Sequence, residues 1–258
     1  MGNMEALYNT WKAIGVSGGD LSFFQNFFVK FYQAFIEADR WLQYLNGVKT
    51  TLLVTALALI LGVALGVTVA ILRTAHDQQR PGHRNPVLAV LNLVCKIYVT
   101  VIRGTPMMVQ LLIMGFVIFA SSRNFTMIGT LTLGINSGAY VAEIFRGGLM
   151  SVDPGQNEAG RSLGLNYLDT MRFIVVPQAF KNVLPALGNE FITLFKDTAL
   201  INIIGGKELV YAAKAVGSKT YDVMYPYIGI AVIYLVMVML LTWLQGKLER
   251  RLRQSDRR

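Results

Sequence analysis

TTLLVTALALILGVALGVTVAIL, Thr50 to Leu72, is 23 residues without a charge, closed by Arg73. The hydrocarbon core of a bilayer takes about 20 apolar residues of helix, so this stretch predicts a membrane span. Ala58, Gly62, Gly66 and Ala70 recur in it every four residues. On a helix they form one stripe of small side chains against which a second helix can pack closely.

The rest of the chain agrees with that stretch. Of 258 residues 53% are hydrophobic and 15% charged, and mean hydropathy is +0.46; a soluble domain carries about 25% charged residues. The chain reads as an all-α, polytopic membrane protein. Its single cysteine, Cys95, excludes an intramolecular disulfide, and with His76 and His83 in a polar loop no metal-ligand cluster is expected. Met1 to Asp20 is polar and Gly-rich, without the basic and apolar regions of a signal peptide.

Further spans are expected at Pro106 to Ala120, Phe125 to Phe145, Val183 to Ile204 and Val223 to Leu244, five with the first. Thr74 to Asn85, with Pro81 and Gly82, reads as a loop. Pro86 to Gly104 reads as an amphipathic piece, broken from the span at Arg103-Gly104-Thr105-Pro106, with Thr105 as cap and Pro106 at the first helical position. Gly134, Gly138 and Ala142 repeat the four-residue spacing in the third span. Ahead of the first span, Phe24, Phe27, Phe28, Phe31 and Phe35 line one side of Leu21 to Leu45, an interfacial amphipathic helix on the membrane lipid. Residues 1–48 are thus an extracytoplasmic segment and 49–258 the membrane domain, with a loop at 150–182.

With the N-terminus outside, 15 Lys and Arg fall inside and eight outside, while six acids lie on each side. Orientation follows Lys and Arg, so the chain is N-out and C-in. The formal charge of +9 is an orientation signal and not a mark of nucleic-acid binding.

The inner loop is built like a structured element. Asp153 caps a helix with Pro154 at its first position and Gln156 placed to reach back, and Gly164 supplies a left-handed stop. Asn166 and Asp169 start a second helix, and Pro177 and Pro185 break or kink the chain beyond it.

Glu158-Ala159-Gly160, with Gly164 six positions after the Glu, then Phe173 to Pro177 and Pro185, resembles the EAA loop of ATP-binding cassette importer permeases. Pro154-Gly155-Gln156, Pro177-Gln178-Ala179-Phe180, Arg103 to Pro106, Asn136 to Tyr140, Glu143 to Gly148 and Gly188 to Thr198 resemble its polar amino acid branch, the histidine and glutamine permease-like proteins. Gly160 stands in for the second Ala of the triplet, a swap that adds backbone freedom at about 1 kcal/mol.

The resemblance implies the type I importer fold. It also implies a complex of two permease subunits, alike or homologous, two cytoplasmic ATPases and an extracytoplasmic amino acid-binding protein. ATP and Mg would be bound by the ATPase, since this chain lacks a GxxxxGK[ST] loop. Glu158, Ala159, Gly160, Leu163 and Gly164 then form the ATPase-coupling site, on a helix that transmits the rigid-body motion of the ATPases.

Within the fourth span Asn189, Glu190, Thr193, Lys196 and Asp197 occupy one helical sector of about 120° at 100° per residue. Charges in a span face the protein interior or a wet cavity, so Glu190, Thr193 and Asp197 are candidates for a translocation path, where a carboxylate holds a substrate ammonium. The alternative is that Lys196 pairs with an acid and fixes packing. Glu143 and the Arg103–Thr105 break are further candidates, with Glu143 set against an ion pair to Arg146 one turn away. Two other classes stay in view: a self-contained secondary transporter or channel, and a membrane enzyme, which no nucleophile or metal cluster supports.

Overall fold

The computed structural model describes residues 2–79 and 85–255, and no strand occurs among them. The helices are α1 Gly2–Val16, α2 Phe23–Phe35, α3 Arg40–Asp77, α4 Pro86–Gly104, α5 Met107–Ile113, α6 Phe125–Met150, α7 Pro154–Ser162, α8 Tyr167–Thr170, α9 Val176–Asp197, α10 Leu209–Thr220 and α11 Met224–Ser255. Two 3₁₀ turns, Glu37–Asp39 and Thr198–Ile204, and two π turns, Met114–Ile118 and Met171–Val175, connect them.

Glu37–Asp77, Pro86–Gly104 and Met224–Leu252 are long and apolar enough to cross a membrane, and Met107–Ile118 is a shorter apolar helix. The sequence reading gave the crossing before α6 to Pro106–Ala120; by length it is the preceding piece, α4, that reaches. Arg103 lies in the last turn of α4 and ends that helix rather than interrupting it. The first span is also longer than its apolar core. Nothing in Thr74 to Asp77 breaks a helix, so His76 sits in the last turn of α3, not in a loop. The expected loop signals at 80–84 lie outside the described residues, as do the basic residues at 257 and 258.

The chain forms two compact units, Met1–Thr51 with Lys207–Met237, and Leu52–Gly206 with Val238–Arg258. In the first unit Ser22 caps α2 in a reciprocal box with Gln25. Of the expected phenylalanine face only Phe24, Phe27 and Phe31 are exposed, with Phe23 beside them; Phe28 turns its ring to Trp11 at 5.4 Å, and Phe35 packs on the unit's core, 5.2 Å from the Tyr44 ring. The amphipathic element is shorter than Leu21 to Leu45: Ala38 and Asp39 take left-handed φ of 55° and 53°, and Arg40 already belongs to α3.

The Glu37 carboxylate gathers this corner. It accepts from Tyr8 Oη at 2.7 Å and Lys12 Nζ at 2.8 Å on one oxygen, and from Arg40 Nη1 at 2.8 Å on the other. Tyr8 stacks on Tyr32 with centroids 4.3 Å apart. The N-terminal stretch, polar in sequence, is therefore folded as α1 against α2. Tyr44, Leu209, Ala212, Ala213, Val216 and Ile230 make the unit's core. Beside it Glu208, 1% exposed, caps α10, accepting from Val210 N at 2.7 Å, Tyr211 N at 2.9 Å and Tyr234 Oη at 3.3 Å.

The second unit is organised by the crossing of α3 and α6. A Cβ on Gly62 would stand 2.7 Å from Ser137 Oγ, one on Gly66 2.6 Å from Val141 Cγ1, and one on Gly138 2.6 Å from Tyr98 Oη. Ala58 and Ala70 are buried too, so the whole small-residue stripe is used as expected. Apolar side chains gain nothing by leaving lipid for protein, so contact at this distance rests on dispersion and close backbone approach. Val54, Ala58, Leu111, Ile128, Leu133, Leu194, Ile201 and Ile204 fill the adjoining core, and α9 runs through Pro185 without ending.

Gly66→Leu is expected to cost about 1–3 kcal/mol by overpacking, read as a lowered midpoint in a detergent thermal-shift assay. Gly147→Ala, on the same helix as Gly138 with nothing within 4 Å of the new Cβ, should leave stability equal or raised by up to about 1 kcal/mol.

A pH dependence arises at Glu208, which lies between the spans. Burial pushes its carboxyl up to about 7 against the pull of the Val210, Tyr211 and Leu209 N–H groups and the Tyr234 hydroxyl. A carboxyl raised above its unfolded value of about 4.3 contributes stability below that value and loses it as pH rises through the folded value. After correction for intrinsic rates, α10 amides should exchange more slowly at about pH 5 than at about pH 8, and Glu208→Gln should remove the difference.

Candidate functional site

Helix α9 separates its faces as the angular spacing predicts. Leu194 and Phe195 are 2% and 0% exposed, while the side of α9 that carries Asn189, Glu190, Thr193, Lys196 and Asp197 is exposed or half-buried. The apolar side docks into the core of its unit and leaves the polar sector as an open face. Lys196 forms no ion pair within 4 Å among the described residues, so the alternative of a packing pair is not met among them. Glu190 accepts a hydrogen bond from Ser137 Oγ on α6 at 2.7 Å, and Gln245 Nε2 on α11 donates to Asn189 Oδ1 at 2.9 Å and to the Pro185 carbonyl at 3.3 Å.

The break between α4 and α5 is repaired by one side chain. Pro106 has no N–H to give the Ile102 carbonyl, and Val109 N turns to Pro106 O at 3.0 Å, leaving the Thr105 carbonyl free as well. Gln110 Nε2 supplies both, at 2.7 Å to Ile102 O and 3.1 Å to Thr105 O, and reaches Thr105 Oγ1 at 2.8 Å. Its Oε1 accepts from Asn136 Nδ2 at 2.9 Å. Thr105 therefore does not cap α5. It ends α4 and donates to Val101 O at 2.9 Å, and Pro106 stands at the cap position without a side-chain bond.

Glu143 is ion-paired, but to partners on other helices. Arg73 of α3 reaches its Oε1 at 2.5 Å and Arg103 of α4 its Oε2 at 3.8 Å. Arg103 also lies 5.2 Å from the Tyr140 ring centroid. Two guanidiniums delivered by packed helices displace the same-helix Arg146 that sequence spacing offered.

The segment that follows α6 is a helix, α7, capped at both ends. Asp153 Oδ1 accepts from Gly155 N at 2.8 Å. At the far end Gly164, φ 81°, lets Leu165 N bond Gly160 O at 3.1 Å and Gly164 N bond Arg161 O at 3.0 Å, a Schellman stop. Gln156 does not close a capping box; its Oε1 accepts from Gln178 Nε2 at 3.2 Å. Asn166 caps α8 through Asp169 N at 3.0 Å. Glu158 and Ala159 are surface residues of α7, Leu163 is 80% exposed and Leu168 75%.

Gly160 corrects the sequence reading. It is buried, and a Cβ there would meet Thr170 Cγ2 at 2.8 Å and Oγ1 at 2.9 Å. The missing methyl brings α7 down onto the next turns instead of loosening the loop.

Residues 87–254 match the family model of the binding-protein-dependent transport system inner membrane component. The chain belongs to this family. It is a membrane permease subunit. The arginine transport system permease protein ArtQ of Bacillus subtilis (strain 168) is 34% identical over 82% of this chain and 93% of its own. The glutamine transport system permease protein GlnP of Escherichia coli (strain K12) is 33% identical over 81% and 92%. The crystal structure of an amino acid ABC transporter with histidines is 42% identical and matches with a TM-score of 0.73 over 81% of this chain and 94% of that one. A methionine ABC transporter in inward-facing conformations, 20% identical with a TM-score of 0.69 over 84% and 99%, shares the fold. The permease thus has the type I ABC importer fold.

Ser137 and Arg73 entered the sequence analysis only as part of the Asn136 to Tyr140 stretch and as the end of the first span, and Gln110 was passed over at the candidate site. Only Gln110 left a local signal, a side-chain amide one helical turn after a proline. In the permease, Gln110→Leu orphans two carbonyls and should cost about 1–3 kcal/mol, measured as a lower thermal midpoint in detergent.

Proposed function

We propose that this permease carries an amino acid into the cytoplasm by alternating access, driven by a separate ATPase that grips α7. The observation that carries the reading is α7 itself: a helix capped at both ends, seated through Gly160, that turns Glu158, Ala159 and Leu163 outward. A short helix so fixed moves as a rigid body with whatever holds it. Gly164 holds its end. The amino acid cargo is supported by the names of the arginine and glutamine relatives and by the neighbour with histidines.

In this reading the working unit has two permease subunits, two ATPases binding ATP and Mg, and an extracytoplasmic amino acid-binding protein. The membrane topology is N-out and C-in with five spans, residues 1–48 lie outside with α2 resting on lipid, and residues 150–182 face the cytoplasm. Glu190, Thr193 and Asp197 line the path, on a face that the rest of the chain leaves open and a second permease subunit would enclose. Arg103, Thr105 and Glu143 hold the wall of that path through the contacts at the α4–α5 break.

Reconstitution with and without the ATPase tests the reading. ATP-driven amino acid uptake is expected only with the ATPase, and Glu158→Lys, which places a wrong-sign charge in the contact at about 2–5 kcal/mol, should lower uptake at least tenfold. Uptake without the ATPase, or indifference to Glu158→Lys, would overturn it.

A further inference from the structure

Helix α6 spends its hydroxyl groups in two ways. Thr130 and Thr132 donate to the carbonyls four residues back, at 2.8 Å and 2.7 Å. Ser137 instead donates across to Glu190 Oε1 on α9 at 2.7 Å, although it is fully buried. It has room to do so because α3 presents Gly62 there: a Cβ on Gly62 would stand 2.7 Å from the Ser137 oxygen and 2.9 Å from its Cβ. The small-residue stripe therefore has a second use at this level. Besides closing the helix crossing, it seats a hydroxyl that faces the polar sector of α9.

The neighbouring residue strengthens the arrangement. Asn136 Nδ2 donates to Gln110 Oε1 at 2.9 Å, and Gln110 in turn holds the carbonyls of the α4–α5 break. Consecutive residues on a helix point about 100° apart, so one step of α6 fastens α5 on one side and Glu190 on the other. The bond from Ser137 to Oε1 restricts how the half-buried carboxylate can turn, and the second oxygen, Oε2, has no hydrogen bond among the described residues.

We propose that Ser137, seated by Gly62, is a positioning residue that orients the Glu190 carboxylate toward the ammonium group of the transported amino acid. The inference rests on the reading of Glu190 as part of the path. A side chain preset in its binding geometry loses less freedom when the ligand arrives. The Ser137 hydroxyl therefore contributes to affinity through Glu190 and by no contact of its own.

The test is a double-mutant cycle on the intact permease–ATPase complex in lipid nanodiscs, without the binding protein. Equilibrium binding is measured for radiolabelled glutamine, arginine, histidine and the other common amino acids. Ser137→Ala and Glu190→Gln should each weaken binding, the first by about tenfold, the worth of one hydrogen bond to a charged group. The double variant should bind no more weakly than Glu190→Gln alone. Losses that add, or Ser137→Ala binding like wild type while Glu190→Gln is impaired, overturn the positioning role. Glu190→Gln binding like wild type, or wild type binding no amino acid, overturns the underlying reading of the path. Should Ser137→Ala fail to retain the ATPase on purification, Ser137→Cys, nearly isosteric with a weaker donor, carries the same cycle and is expected to lose several-fold.

Discussion

The close crossing of α3 and α6 is the constraint on which the rest of the membrane unit depends. Where Gly62, Gly66 and Gly138 face their neighbours there is no space for a methyl group. A membrane protein cannot draw on the hydrophobic effect to hold helices together, because lipid is as apolar as the core. It must use contact, and contact needs backbones near each other. With α6 fixed on α3, its other sides are set: one carries Glu143 to Arg73, another carries Asn136 to Gln110, and a third carries Ser137 to Glu190.

Polar chemistry in this unit obeys the same logic. Each of these polar side chains inside the apolar helices repairs a local deficit or faces the open sector. Gln110 repairs the loss of the Pro106 N–H, and Glu143 answers two arginines at the ends of α3 and α4. What is left, the Asn189 to Asp197 face, has few partners among the described residues, chiefly Ser137 on Glu190 and Gln245 on Asn189. In a membrane protein such a polar face meets a wet cavity or another protein surface.

The capped helix α7 shows how one missing methyl can be misread. In isolation glycine in a helix means freedom, and Gly160 within a family triplet suggested a looser loop. In place, Gly160 is where α7 meets Thr170 and Ile174, and the absent Cβ permits a tighter seat. Helix propensity measures a residue against water or an average neighbour, whereas here the neighbour is a particular side chain less than 3 Å from where the methyl would go.

The sequence by itself determined the membrane class, the small-residue stripe, the polar sector of α9 and the capped helix α7. These are local or periodic properties, written in spacing: apolar run length, four-residue repeats, 100° per residue, and the cap residues Asp153, Gly164 and Asn166. Only the tertiary structure decided partners. That Glu143 answers Arg73 and Arg103 rather than Arg146, that Thr105 serves Gln110 rather than a helix cap, that Met1 to Asp20 holds a helix pinned at Glu37, and that Ser137 reaches Glu190, all depend on residues far apart in the chain or on helix-end geometry. Spacing along one helix fixes which face a side chain occupies, and packing alone fixes what stands opposite it.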